Sequence, residues 1–472
     1  MSEPWQLSAT EALRLMRSRE LSPIELVEST IERAEAVEPT VNAFAETRYA
    51  EAMAAAGAAA ARYATGARTR PLEGLPIALK EEVEVRGWTL KWGSLAFADQ
   101  VAEKTSPIAD RIRRSGAIVH ARTTTPEFSC VGVTHSKLWG ITRNPWNPDF
   151  GAGGSSGGSG ASLAAGTAAL ASGSDIGGSI RLPASANGVV GFKPPHGRVP
   201  VDAPLNLDRY CHDGPMARTV ADCALLENTL AGPHPADVTS LRPKVRIPSE
   251  LRGIEGWRIG LSLDLGAYDV DPEIAANTRA VAAALERAGA IVEEVDIPWT
   301  LAEFAATARV HYAAVFGSQI AKAVKAHGDV LCDYTLAWAE EAASASKPGR
   351  FLAGLEAEAA LYEPLGKLLR QHRAIVCPTW SITGTPAGDP WLGRTSLGGG
   401  QLDRQFEAMM TVPFNILSAC PVLAVPSGFA SNGVPTGVQI VGRTYDDVSS
   451  FRIGAALEKV APWPTPAPIP LS

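Results

Sequence analysis

Apolar positions return with a helical period through the first 65 residues of this chain. Ser8 with Glu11, and Ser22-Pro23-Ile24-Glu25, have the spacing of capping boxes, and Pro23 suits a first helical position. Ile24, Val27, Ile31 and Ala34 then recur on one face. Tyr49 to Tyr63 predicts an Ala-rich third helix with Gly57 as its weak point. From Leu75 the pattern changes to short continuous apolar runs. Pro76-Ile77-Ala78-Leu79, ending at Lys80, reads as a buried strand, as do Ala117 to Ala121, Ala374 to Cys377, Val422 to Val425 and Gly437 to Val441. Trp257 to Leu265 and Ala290 to Ile297 flank a helix that opens at Asp271-Pro272, which predicts a βαβ unit with parallel pairing. Leu301 to Arg373 is nearly all helical and predicts a cap over the sheet. The tail from Pro462 reads as extended surface chain. Strands alternate with helices throughout and no repeat is found, so one α/β domain with helices covering its sheet is expected.

Composition narrows the function. The 472 residues are 46% hydrophobic and 20% charged, which excludes a disordered, fibrous or coiled-coil protein. A net charge of −7 disfavours nucleic acid as a partner and suits a small or neutral substrate. The amino-terminal residues lack a basic segment followed by an apolar one, so no secretory signal is expected. No run of about 18 apolar residues predicts a membrane span. Cys130, Cys211, Cys223, Cys332, Cys377 and Cys420 are scattered without a CxxC pair. They read as reduced, mostly buried thiols of a cytoplasmic protein.

The chemistry concentrates in Gly153-Gly154-Ser155-Ser156-Gly157-Gly158-Ser159-Gly160. A flexible linker would end in a change of composition. Instead a small-residue stretch read as helical, Ala161 to Ser172, leads into a second Gly-rich turn, Gly173 to Pro183, with Ser179 directly after Gly177-Gly178. Glycines there let the backbone turn tightly and let a substrate approach its N–H groups. Gly153 to Gly157 also fits the G-x-S-x-G nucleophile elbow, which would need acidic and His partners downstream. His196, His212, His234, His311, His327 and His372 are available, and none sits in a distinguishing turn. Ser344-Ala345-Ser346-Lys347 fits S-x-x-K, but no SDN or KTG follows and Pro348 comes next, so it reads as a helix end.

Gly153 to Ala184 resembles the amidase signature family at every position: the Gly-Gly-Ser-Ser-Gly-Gly loop, a small-residue helix, then Asp175-x-Gly-x-Ser179-Ile180-Arg181-x-Pro183. The flanks are similar too. Gly74 to Lys80 resembles the family's lysine strand, and Thr123 to Phe128 its Thr-x-Thr-Pro-Glu-Phe loop. Asn144 to Pro148, Gly188 to Arg198, Pro421 to Phe429 and Val434 to Gly442 also match. The resemblance covers nearly the whole chain and is weakest from about 300 to 400. It implies a single domain over 1–472, with a large mixed, mostly parallel central sheet covered by helices on both faces. It places a catalytic core at about 66–240 and a variable helical substrate region at about 300–400. It also implies that Ser179 is the nucleophile, Ser155 the bridging serine after a cis peptide bond, and Lys80 the base.

These residue types suit the task. A serine hydroxyl needs a base to take its proton. A lysine serves only when neutral, and burial at a strand end disfavours the ammonium form. On spacing alone, Lys80 reads as an exposed strand-end lysine paired with Glu81 or Glu82; the match to the lysine strand reverses that. The N–H groups of Ile176, Gly177, Gly178 and Ser179 are oxyanion-hole candidates. Asp175 and Arg181 are expected to hold the turn in shape, with a substrate-carboxylate clamp as the other reading of Arg181. Ser156 is expected to support the loop, and Thr125 and Cys130 to line the pocket. Cys130 has no basic neighbour to activate it. No metal or organic cofactor is implied, and a homodimer is a family-level expectation.

Three positions depart from the family pattern: Glu81-Glu82 after the lysine, Asn187 before the following strand, and Gly151-Ala152 before the loop. The reading that follows is a stand-alone hydrolase of the C–N bonds of small-molecule amides, with esters, aryl-amides or carbamates as related substrates. The alternative is the glutaminase subunit of a tRNA-dependent amidotransferase. Leu182 speaks against it, since Gln usually follows the signature Arg. A non-catalytic scaffold is disfavoured because all three relay residues are present. Tyr312, Phe316, Tyr334, Trp338 and Leu352 point to a hydrophobic or aromatic substrate group. Trp139, Trp146, Trp338 and Trp380 read as core, with one or two touching substrate. Gly398 to Gly400 suggests a mobile loop near the mouth.

Overall fold

The computed structural model describes residues 3–345, 349–392, 395–397, 400–402 and 405–469. The predicted apolar runs are found among the strands β1 (Phe44–Thr47), β2 (Pro76–Lys80), β3 (Ile118–Thr123), β4 (Leu170–Asp175), β5 (Val190–Lys193), β6 (His212–Ala217), β7 (Arg258–Leu261), β8 (Ile291–Glu294), β9 (Ala374–Pro378), β10 (Val422–Phe429) and β11 (Pro435–Gly442). They make one 11-stranded sheet in the order β1-β3-β2-β4-β6-β5-β10-β11-β9-β7-β8. Parallel pairing is confined to β3-β2-β4 and β9-β7-β8. The stretch from β4 through β6, β5, β10 and β11 to β9 is antiparallel, as is β1 on β3. The sheet is therefore mixed as expected, but the expected dominance of parallel pairing is corrected. The β10–β11 hairpin needs no crossover helix, and β6 and β1, which fall outside the apolar runs, add further antiparallel pairs.

Helices cover both faces. Alternate residues of β10 and β11 feed two cores: Leu423, Val425, Val438 and Ile440 on one side, Val422 and Val441 on the other. Pro23–Val41 carries the full Ser22–Glu25 capping box. Ser8 accepts from the Glu11 N–H, but the Glu11 carboxylate turns to Arg14, so only half of that box forms. Pro272–Arg287, capped by Asp271, links β7 to β8 as the predicted βαβ unit. Leu301–Val315, Gly317–His327, Asp333–Ala345 and Arg350–Gln371 form the helical stretch expected there. Ser344 and Ala345 do end a helix, while Ser346 to Pro348 lie outside the described residues. So do Gly398 and Gly399 of the expected loop; Gly400 starts the short strand Gly400–Leu402.

Two other expectations change. The stretch read as helix to Ser172 stops at Ala165, because Gly166 adopts a left-handed conformation (φ 78°) that closes it. Leu170 onwards is β4, with Leu170 to Gly173 buried between β2 and β6. The Pro-rich tail is irregular but is not simply surface chain. Ala467 and Ile469 are buried against Val37, Val41 and Ala165, and the Ala467 N–H donates to the Ala164 carbonyl. Cys211, Cys223, Cys332, Cys377 and Cys420 are buried free thiols, and Cys130 is half-buried. No helix among the described residues is long and apolar enough to cross a membrane.

This order of strands builds the site. β2 and β4 are parallel neighbours, so their carboxyl ends lie side by side, where loops of α/β sheets gather their chemistry. The helix Gly157–Ala165 is seated over them by a chain of hydroxyls. Thr123 and Ser159 share a hydrogen bond of 2.8 Å, Ser159 donates to the Ser172 carbonyl, and the Lys80 N–H donates to Ser172 Oγ. Gly158 makes the close approach possible. A Cβ there would lie 2.5 Å from the Thr124 nitrogen and 2.6 Å from the Ala43 carbonyl oxygen, both backbone atoms. Gly158→Ala is expected to lower the unfolding free energy by about 1–3 kcal/mol, read from urea denaturation; an unchanged midpoint would show that the helix seats more loosely.

Candidate active site

Burying a lysine at a strand end requires partners for its ammonium hydrogens. Lys80 is fully buried, and Nζ has three. Ser155 Oγ lies at 2.7 Å, Ser174 Oγ at 2.8 Å and Glu82 Oε1 at 3.0 Å. Of the two isolated readings of Lys80, the exposed one fails, yet the Glu82 pair forms inside the site. Glu81 turns away to the N–H groups of Lys91 and Trp92. Ser155 follows a cis peptide bond from Gly154. Its loop is clamped by Thr134, whose hydroxyl donates to the Gly153 carbonyl and accepts from the Gly157 N–H. Ser156 supports the same loop: its Oγ lies 3.4 Å from the Ser174 carbonyl and 3.3 Å from the Ser174 nitrogen.

Ser179 is brought to the same place by the turn after β4. The Ser156 N–H donates to its carbonyl at 3.1 Å. Among the described residues no hydrogen bond joins the Ser155 and Ser179 hydroxyls, so one contact of the expected relay is closed and the other is open. Such contacts commonly tighten only around substrate. The turn is held by its carbonyls. Ile176 accepts from the Tyr312 hydroxyl at 2.9 Å, Gly177 from the Thr411 hydroxyl at 2.6 Å and Gly178 from the Leu182 N–H at 2.7 Å. Among the described residues nothing accepts from the N–H groups of Gly177, Gly178 and Ser179. Gly178 has φ 129°, and a Cβ there would meet Thr411 Oγ1 at 2.1 Å.

Beneath the turn Asp175 and Arg181 form a fully buried two-point pair, both contacts 2.9 Å. Arg181 also donates to the Thr411 carbonyl, Gln439 and Asn415. Burial would raise the Asp175 carboxyl, but the Arg181 guanidinium and the Asn415 amide outweigh it and hold it well below the usual range. Arg181 thus faces the core, and the clamp reading finds no support in its position.

Ser179 opens onto a cavity of about 380 Å³. Its walls are largely aromatic and apolar: Tyr312, Phe316, Tyr334, Trp338, Trp391 and Met409. Cys130 lies on its wall. Thr125 stands one step behind, sharing a 2.7 Å hydrogen bond with Ser129, which does line it. Burial and the nearby Glu127 push the Cys130 thiol far up, so it is not a thiolate. Leu352 is exposed and lies away from the cavity, whereas Arg309 and Glu341, joined at 2.8 Å, border it.

The family model described as Amidase matches residues 25–450. The chain belongs to the amidase signature family. It is similar to an acylamidase from Rhodococcus erythropolis, 32% identical over 471 residues that cover 97% of this chain and 96% of that one. It is also similar to one subunit of the glutamyl-tRNA(Gln) amidotransferase of Thermosynechococcus vestitus, 32% identical over 486 residues, 96% of this chain and 98% of that one. Among solved structures, a bacterial aryl acylamidase matches with a TM-score of 0.90 at 30% identity, covering 97% of each chain. The protein is an amidase, a hydrolase acting on small-molecule amides.

Within this amidase the signature residues Lys80, Ser155, Ser156, Asp175 and Arg181 gather around Ser179 and the turn that carries it. The elbow reading is not met, since Ser155 pairs with a lysine and not a histidine. Sequence reasoning missed Ser174, Thr134, Thr411 and Trp391. Ser174 carried a signal, because it sits directly before Asp175 at the carboxyl end of the strand beside the lysine strand. Thr411 and Trp391 lie far away in the chain and gave none. Asp175→Ala is expected to cost about 3–5 kcal/mol of stability by stranding the Arg181 charge. A loss below about 1 kcal/mol in urea denaturation would show that Arg181 does not depend on it.

Proposed function

We propose that this amidase cleaves the C–N bond of small hydrophobic or aromatic amides through an acyl-enzyme on Ser179. The observation that carries the reading is the placement of Ser179 on an aromatic-walled cavity, its carbonyl bonded to the N–H of Ser156, the neighbour of the Ser155 that a buried lysine contacts. Lys80 takes a proton from Ser155, and Ser155 takes one from Ser179. The Ser179 oxygen attacks the carbonyl carbon, and the oxyanion meets the free N–H groups of the turn, with Ile176, Gly177, Gly178 and Ser179 as its donors. The relay returns the proton to the leaving nitrogen, and water then hydrolyses the acyl-enzyme. Esters and carbamates of similar shape are expected as secondary substrates, since the same attack serves them.

The amidotransferase relatives support a second reading, a glutaminase component of a larger enzyme. Glutamine would need a seat for its α-amino and α-carboxylate groups. Among the described residues the charged ones bordering the cavity, Arg309 and Glu341, are paired with each other, and the surrounding walls are largely apolar. This favours the first reading. A panel of nitroanilides, nitrophenyl esters and carbamates, run beside glutamine, separates the two. Anilide cleavage lost in Ser179→Ala by at least about 10³-fold supports the first reading, and cleavage of glutamine alone overturns it. Lys80→Ala is expected to be comparably inactive. Ser155→Ala should lose amides at least as severely as esters, and equal mild losses would remove Ser155 from the relay. With Lys80 as base, kcat/KM should rise towards alkaline pH, and a profile centred near pH 6.5 would instead indicate a histidine.

A further inference from the structure

Glu82 is one of the departures from the family pattern, and the structure gives it a position that the relay alone does not explain. After β2 the chain turns at once, with the Val83 N–H donating to the Lys80 carbonyl at 3.0 Å. This returns the Glu82 side chain to the lysine it follows, Oε1 to Nζ at 3.0 Å. The other carboxylate oxygen accepts from the Ser129 hydroxyl. Ser129 is held in the left-handed region (φ 54°), shares a hydrogen bond with Thr125, and lines the cavity. Glu82 therefore joins the lysine to the cavity wall.

The neighbouring groups leave the charge on Glu82. Burial would raise its carboxyl, but Lys80 and the Ser129 and Ser174 hydroxyls outweigh burial and lower it. On β6, burial and then the Glu82 charge push the Asp213 carboxyl well up. Cys211 of the same segment is pushed well up by burial and by Asp208. Glu81 is pushed up to about 7, chiefly by burial, and faces Arg122 and the Lys91 and Trp92 N–H groups. Asp202, which also acts on Asp213, is itself raised by burial and paired with Lys104 at 3.5 Å. Glu82 is thus the carboxylate in contact with Nζ.

We propose that Glu82 is a positioning residue for the relay: it anchors Lys80 Nζ beside Ser155 and holds a proton there at neutral pH, so that it sets the pH at which turnover begins. The step is a simple ionisation. As pH rises, an N–H bond of the ammonium breaks and its proton goes to solvent. The freed lone pair then accepts the Ser155 hydroxyl proton. The proposal rests on Lys80 being the base.

The test is the pH dependence of kcat/KM on an anilide for wild type, Glu82→Gln, Glu82→Asp and Lys80→Ala. Removing the carboxylate charge should move the rising limb of Glu82→Gln towards acid by about 1–3 pH units. Glu82→Asp, which keeps the charge, should stay nearer the wild-type limb. A merely structural role would lower the plateau and leave the limb in place, and that result, or a shift towards alkali, overturns the proposal. A wild-type profile without a rising limb, or an active Lys80→Ala, overturns the assignment of the base itself and is told apart in the same experiment. Should Glu82→Gln fail to fold, the wild type still decides. In ¹⁵N-lysine NMR, with Lys80→Ala to assign the signal, an ammonium at neutral pH supports the proposal and a neutral amine overturns it.

Discussion

The buried pair of Asp175 and Arg181 is the constraint on which the rest of the site depends. It ties the end of β4 to the first residue of the helix Arg181–Asn187. The segment between must therefore close as a tight turn, and that turn carries Ser179. The guanidinium has further donors to place, and it spends them on Thr411, Asn415 and Gln439. Residues more than two hundred positions away in the chain are thus fastened to the same two groups. An ion pair in this setting stabilises little beyond what an apolar pair would, but breaking it leaves a charge with no water around it. Its contribution is to specify one arrangement of the turn.

The fold was readable where hydrophobic pattern and burial agree. β2, β9 and the first half of β10 are apolar runs because both faces of the sheet are covered, β11 is interrupted within its apolar stretch only by Gln439, and their positions follow directly from the chain. β4 and β6 were not readable. Leu-Ala-Ser-Gly-Ser-Asp and His-Asp-Gly-Pro-Met-Ala carry small and polar residues in the middle of a sheet, where a strand ordinarily needs bulk. They are strands because their neighbours pack close: a Cβ on Gly214 would lie 2.3 Å from the Phe192 carbonyl oxygen. Missing them also hid the antiparallel middle of the sheet. The small residues that blurred the pattern are the ones that let a helix and two Gly-rich turns approach the strands.

The site was legible to a different depth. Lys80, Ser155, Ser156, Asp175, Ser179 and Arg181 stand in compact motifs, so the resemblance found them and the structure gathers them. The cavity wall was legible only as a composition. Tyr312, Phe316, Tyr334 and Trp338 do line it, while Leu352, one helix further on, faces away. Helical periodicity says which residues share a face, not which face meets a cavity formed by other elements. Trp391 and Arg309 carried no local signal for the same reason.

Tyr312 belongs to both halves of this division. Its ring forms part of the wall, and its hydroxyl donates to the Ile176 carbonyl in the turn that carries Ser179. The helices that shape the cavity are consequently not an interchangeable module. Grafting the corresponding segment from a relative would bring a new wall, but a graft without a phenol at this point would strip the turn of one of its carbonyl anchors. Selectivity and turnover would then change together, and an engineer seeking a new substrate range would do better to vary Phe316 and Trp338 around a fixed Tyr312.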